Sequence, residues 1–451
     1  MIQRKKVDVN IGICRDARRR SHMLQQMLGI WLLCQQGGLY MGWLKKFQSD
    51  NRYVVFFFLY IGFCISYIDR SAIGLALPAI SRDFQLAPTE MGVVISAFFI
   101  GYSIMQIPGG WFSDKFGSKM VIMVALALWS VFTFTTGHAS TLAGLLFLRF
   151  VFGLCEGPYA GSCYRAIAEY FPRQMRPAMT TGILSSNYIG SAIAPLVIVP
   201  LILWFGWRGM FQVLGVVGLV YVFFYALFVR ARRPAEQKEG DRGKQSLYFR
   251  NLLKVSMIWK LIICAFCVSC INKGLDAWMP MYLITERGID LKSVGYVTPI
   301  PFMASFVSAA LCGWVMNAWF DKKEHWLVVI CAVMTALFLY LMYHAETLWT
   351  VVVFQCGVYF FKSCILATAV AITLKVVTGT IAGSAAALVN MGGQVAGFVS
   401  PAIMGYLVHV SNGSFSTVFY YLMGVSVVCA VSALLIPRRT EDLLDLESRK
   451  G

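Results

Sequence analysis

Apolar residues in this chain run in long unbroken blocks rather than alternating with polar ones. Twelve blocks reach the roughly 20 residues that a helix needs to cross a bilayer, near 53–80, 88–112, 119–138, 141–168, 178–203, 208–229, 256–284, 293–318, 325–344, 347–374, 380–409 and 415–436. Continuous blocks predict helices, because strands of a membrane barrel alternate in polarity over about ten residues. Between the sixth and seventh blocks lies the one long charged run between them, ARRPAEQKEGDRGK from Ala231 to Lys244. The pattern therefore predicts an all-α membrane protein of two six-helix halves. The expected divisions are a basic N-terminal extension (1–50), a first bundle (51–229), a cytoplasmic linker (230–255), a second bundle (256–436) and a cytoplasmic tail (437–451).

Composition agrees: 58% of the 451 residues are hydrophobic and only 14% charged, against about 25% charged in soluble domains. The formal charge of +17 is not gathered on one face, which excludes nucleic acid as a partner. It collects instead in alternate loops, at Lys115 and Lys119, Arg173 and Arg176, Arg230 to Lys254, Lys322 and Lys323, and Arg438 and Arg439. The intervening loops hold His138, Arg208 and Glu346, and only Glu286 to Lys292 is mixed. That bias predicts cytoplasmic basic loops and two cytoplasmic termini. In residues 1–50 the apolar stretch from Met27 to Cys34 is too short to span. The extension reads as a disordered head, or as sequence upstream of a start at Met41. Of the 13 cysteines, most lie inside apolar helices, where the side chain acts as a small hydrophobe, so no metal or other cofactor is expected.

Charge inside the spans is the chemistry. Asp69 and Arg70 sit side by side in the first block, where charge is costly and faces the bundle interior or an aqueous path. The pair repeats at an offset of 203 residues as Asn272 and Lys273; at the same offset Asn187 becomes Asn390, and Gly110-x-x-x-Asp114 becomes Gly313-x-x-x-Asn317. Three landmarks in register indicate a duplication. Arg149 and Glu156 in the fourth block are seven residues apart, on one face and about 10 Å apart along the axis. Two acids and two bases are expected to meet near mid-membrane. A structural salt-bridge network is the alternative, though buried pairs are weak stabilising devices. Arginine suits a fork on a carboxylate, and a buried carboxylate suits proton uptake.

Gly110-Gly-Trp-Phe-Ser-Asp-Lys-Phe-Gly-Ser-Lys119 resembles the loop between helices 2 and 3 of the major facilitator superfamily, matching at Gly110, Asp114, Lys115, Gly117 and Lys119 and departing at Ser118. Tyr67-Ile-Asp-Arg-Ser71 with Leu77-Pro78, and Arg149-Phe-Val-Phe-Gly-Leu-Cys-Glu156-Gly-Pro158, resemble helices 1 and 4 of the anion:cation symporter family. The resemblance spans about residues 53–436. It implies two parallel halves around a midplane site, and symport of a small organic anion such as a sugar acid with protons, in a bacterial inner membrane, by a monomer. By that resemblance Arg70 holds the substrate carboxylate. Asp69 and Glu156 carry protons, with Arg149 as the switching partner of Glu156. Asp114 belongs to a cytoplasmic gate, bonding a helix N-terminus or a nearby arginine.

Tyr67, Tyr102, Asn187 (where several family members carry glutamine) and Asn390 are candidate substrate contacts, with helix–helix hydrogen bonding as the plainer role. Lys273 and Lys362 depart from the sugar-acid carriers. Facing a cavity together they would suit a dianion, unless Asp276 neutralises Lys273. No phosphate-cradling GxxxxGK[ST] loop and no nucleophile–base constellation is present, so neither an ATP-driven pump nor an enzyme is expected. A non-transporting receptor for a sugar acid or phosphate and a proton-coupled drug exporter are the competing readings.

Overall fold

The computed structural model describes residues 52–172, 174–231, 256–320, 323–376 and 382–436. The expected extension at 1–50, the tail at 437–451 and all of the linker but Arg230 and Ala231 lie outside the described residues. The helices are α1 (Arg52–Phe84), α2 (Pro88–Phe116), α3 (Ser118–Thr136), α4 (Leu142–Tyr170), α5 (Arg176–Phe228), α6 (Ser256–Thr285), α7 (Leu291–Val297), α8 (Pro299–Trp319), α9 (Glu324–His344), α10 (Leu348–Val376), α11 (Ala382–Val410) and α12 (Ser416–Leu434).

Among the described residues eleven helices are long and apolar enough to cross a membrane, one fewer than the twelve blocks. The difference lies in α5. Its apolar stretch Ala178–Phe228 runs for 51 residues, about 76 Å at helical rise and more than twice a bilayer core. It breaks at Gly206, whose φ of 67° lies outside the helical region. The two limbs, 176–205 and 207–228, are the fifth and sixth crossings, joined by a single glycine that accepts the left-handed conformation. A second tight junction is Gly117, at φ 83°, which separates α2 from α3. Two helix starts carry side-chain caps: the Thr141 hydroxyl accepts from the Gly144 amide at 3.1 Å, and the Asp290 carboxylate from the Ser293 amide at 3.0 Å. The block at 293–318 is divided between α7 and α8, where Pro299 opens the second helix.

The core is arranged in three parts. One apolar cluster joins both halves at the end of the bundle away from residues 52 and 436; Leu77, Ile80, Trp207, Met210, Leu283 and Phe415 belong to it. At the other end each half keeps its own core, around Leu59, Trp129 and Tyr225 in the first and around Leu261, Val328 and Ile436 in the second. The halves are therefore clasped at the far end and parted at the end that carries residues 52 and 436. The clasp is close. Ser96 Oγ on α2 donates to the Phe398 carbonyl on α11 at 2.7 Å. A Cβ on Gly92 would stand 2.6 Å from the Pro401 carbonyl oxygen, and one on Gly405 2.5 Å from that of Pro88. No larger residue fits either place without separating the helices.

Candidate functional site

Between the halves lies a cavity of about 250 Å³, smaller than the roughly 300–1,000 Å³ of drug-sized sites. Its wall holds Tyr67, Arg70, Arg149, Asn187, Asn272, Lys273, Asp276 and Asn390. Six sequence-derived candidates thus share one chamber. Tyr102 stands behind Arg70, and Asp69, Glu156 and Lys362 are buried in the helix packing around the chamber.

Close packing of α2 against α4 brings the fourth-helix charges to the wall. A Cβ on Gly101 would collide with the Phe150 carbonyl, and one on Gly153 with the Phe98 carbonyl. The two backbones touch where they cross. Glu156, one turn further along α4, then faces α1. Ser66 and Arg70 are one turn apart on α1 and both reach it: Arg70 Nε lies 2.7 Å from Glu156 Oε1, and the Ser66 hydroxyl donates to the same oxygen. The guanidinium is held flat among the rings of Tyr102 (4.5 Å to the centroid), Tyr67 (4.9 Å) and Phe98 (5.4 Å). Glu156 is fully buried, and its second oxygen has no partner among the described residues.

This pairing differs from the one expected within α4. Arg149 and Glu156 share a helix face, yet Glu156 is bonded to α1. Arg149 instead donates from Nη2 to Thr136 Oγ1 at 2.9 Å and packs over Phe152 (4.8 Å) and Phe211 (5.0 Å). Two turns of helix separate the pair, too far for side chains that each have a nearer partner on another helix. Asp69 is buried, and neither of its oxygens has a hydrogen bond among the described residues. The charges of Glu156 and Arg149 both act on it, with opposite sign.

The second half repeats the device with the charges reversed. Asn272 and Asp276, one turn apart on α6, grip a fourth-helix residue, here Lys362 on α10. Lys362 Nζ lies 2.5 Å from Asn272 Oδ1, 3.6 Å from Asp276 Oδ1 and 3.3 Å from the centre of the Tyr359 ring. The Tyr359 hydroxyl donates to Asp276 at 2.5 Å. Asp276 therefore forms its ion pair with Lys362, and its charge reaches Lys273 only through space, without the i, i+3 pair expected. Lys273 points elsewhere, donating to Gln394 Oε1 at 2.7 Å and lying 4.5 Å from the Phe99 ring centre.

The segment Gly110 to Lys119 lies at the parted end. Asp114 pairs with Arg165 on α4, which also bonds Glu169 at 2.9 Å; Glu169 in turn accepts from Ser118 at 2.5 Å. Of the two partners expected for Asp114, it takes the arginine. Lys115 packs on Trp111 (5.0 Å) and Phe116 (5.5 Å), and Lys119 donates to the Ala226 carbonyl at 3.1 Å. Gly110 has open space where a Cβ would stand. The sequence reading passed over Ser66, Thr136, Arg165, Glu169, Tyr359 and Gln394. Only Arg165-x-x-x-Glu169 carried a signal, as an i, i+4 pair of opposite charge near a helix end.

Comparison with known proteins bears on this geometry. The family model for the Major Facilitator Superfamily matches residues 59–325 and 315–451. A probable sulfoacetate transporter, SauU, of Cupriavidus necator is 31% identical over 425 residues, covering 89% of this chain and 97% of that protein. The hexuronate transporter of Bacillus subtilis is 27% identical over 86% of this chain and 96% of its own length. A probable galactarate/D-glucarate transporter, GudP, of Escherichia coli is 26% identical over 86% and 94%. Among solved structures a D-xylose-proton symporter superposes with a TM-score of 0.72 at 14% identity, over 87% of this chain and 99% of that one. A bacterial homologue of the human lysosomal transporter Spinster, inward-facing and occupied, gives 0.66 at 15% identity, over 90% and 98%. With two six-helix halves around a charged central chamber, the chain belongs to the major facilitator superfamily and to its anion:cation symporter branch; it is a multi-pass membrane transporter and not an enzyme.

Proposed function

We propose that the protein imports a small organic anion together with protons, by alternating access. The observation that carries this reading is the Arg70–Glu156 pair at the chamber wall. A substrate carboxylate and Glu156 are rival partners for one guanidinium, since each wants the same forked donors. Protonating Glu156 removes the rival, so anion and proton enter together. Asp69, buried beside Arg149 with no hydrogen bond among the described residues, is the second proton carrier in this reading. Arg149 answers its charge from α4, and the Thr136 bond holds Arg149 in place. Tyr67 and Tyr102 pack against Arg70, while Asn187, whose Oδ1 has no partner among the described residues, and Asn390 offer hydrogen bonds to substrate hydroxyls.

Relatives named for sulfoacetate, hexuronate and galactarate or D-glucarate support an organic anion as the cargo. The basic loops support a cytoplasmic position for the parted end, in a bacterial inner membrane, and on that reading the chain is open inward. The Asp114–Arg165–Glu169 chain then forms the cytoplasmic gate of the first half, and one chain acts alone. Uptake of labelled sugar acid into proteoliposomes under an inward proton gradient tests the reading. Accumulation supports the symporter. Saturable binding without accumulation is the receptor's result, and loss of label from loaded vesicles the exporter's.

A further inference from the structure

Four cations surround the chamber, and they are not partnered alike. Arg70 faces Glu156, Arg149 stands beside Asp69, and Lys362 is held by Asp276 and Asn272. Lys273 is the exception. Among the described residues its ammonium meets only neutral groups, the Gln394 amide oxygen and the Phe99 ring, and no carboxylate comes within ion-pair distance. Packing fixes where it goes. A Cβ on Gly397 would stand 3.0 Å from Lys273 Cδ and 2.5 Å from Phe99, so α11 needs a glycine there for the lysine stem to pass. Lys273 lines the same chamber as Arg70, whose charge repels it, while Asp276 attracts it from beyond ion-pair distance, its carboxylate being engaged by Lys362 and Tyr359. Two facing cations, one of them with only neutral contacts, are costly in a site shielded by lipid and protein. An anionic group at Lys273 offsets that cost.

We infer that the cargo is a small dianion gripped at both ends, one anionic group on Arg70 of the first half and the other on Lys273 of the second. Lys362, 1% exposed and held by Asp276, is a positioning residue that stays out of the ligand's reach. The inference rests on the organic-anion reading above and narrows it. It also gives the second charge a task in transport. Arg70 and Lys273 belong to different halves, so a ligand that bridges them pulls the halves together at the parted end. A monoanion engages one half and gives no such pull. Lysine is a point charge, so the second group is a carboxylate or a sulfonate alike.

Titration calorimetry on the purified full chain tests this with matched pairs: a six-carbon aldarate against its aldonate, and sulfoacetate against acetate. A charge-assisted bond at Lys273 predicts that the dianion of at least one pair binds about ten- to a hundredfold tighter than its partner. The pair that shows the larger ratio says whether the second group is carboxylate or sulfonate. Lys273→Gln should collapse the ratio to about one, while Lys273→Arg keeps it and shows that the site still folds. Equal binding of both members by the parent chain overturns the inference, as does a Lys273→Gln chain that keeps the ratio. A monoanion that alone binds and accumulates overturns the dianion and leaves the organic-anion reading standing. Binding of no member of either pair removes both.

Discussion

Replacing Glu156 by glutamine tests the rivalry for Arg70 most sharply. The Arg70–Glu156 contact is 2.7 Å long and its carboxylate is 0% exposed. Opposite charges about 4 Å apart attract by about 4 kcal/mol at an effective dielectric of 20. A neutral amide in the same place keeps a hydrogen bond of about 1 kcal/mol. The difference of about 3 kcal/mol is the hold that an incoming anion must break when Glu156 is ionised. In the parent chain a proton on Glu156 releases it, so the anion should bind more tightly at low pH than at high pH. Glu156→Gln imitates the protonated state. Its affinity should match the parent's at low pH and exceed it at high pH, by a factor of up to about 150. Calorimetric titration of a sugar acid at low and at high pH reads both affinities. The reasoning fails if the variant keeps the parent's pH dependence, or if the parent has none.

Three further outcomes follow from the packing and the buried charges. Gly153→Ala sets a methyl group against the Phe98 carbonyl; overpacking of about 1–3 kcal/mol should lower the melting temperature of the purified protein, and an unchanged value would mean that the α2–α4 crossing relaxes freely. Gly92→Leu cannot sit against the Pro401 carbonyl, so it should part the far end and raise thiol labelling of a cysteine placed at Phe99, whereas unaltered labelling would contradict the clasp. Asp69→Asn should abolish accumulation under a proton gradient and spare exchange of labelled for unlabelled anion, and accumulation at the parent rate would make Asp69 structural.

The spans and the charged residues were legible because charge inside an apolar block stands out whatever the neighbours are. Their partners were not. Glu156 finds Arg70 and Ser66 on another helix, 86 and 90 residues away in sequence. Spacing within α4 records only which residues share a face, not which helix that face meets. Asp276 went to Lys362 rather than Lys273 for the same reason. The single-residue turn at Gly206 was readable only as a weak dip between apolar blocks, since a glycine alone does not announce a positive φ. The gate partner Arg165 resembled any basic residue near a helix end until Asp114 was seen beside it.

The central claim is that anion and proton cross together, and lumenal pH reports it directly. In proteoliposomes loaded with a pH-sensitive dye and given no gradient, adding the organic anion outside should acidify the lumen as label enters. Glu156→Gln and Asp69→Asn should remove that acidification. Entry of label with no pH change, or with lumenal alkalinisation, would contradict the account.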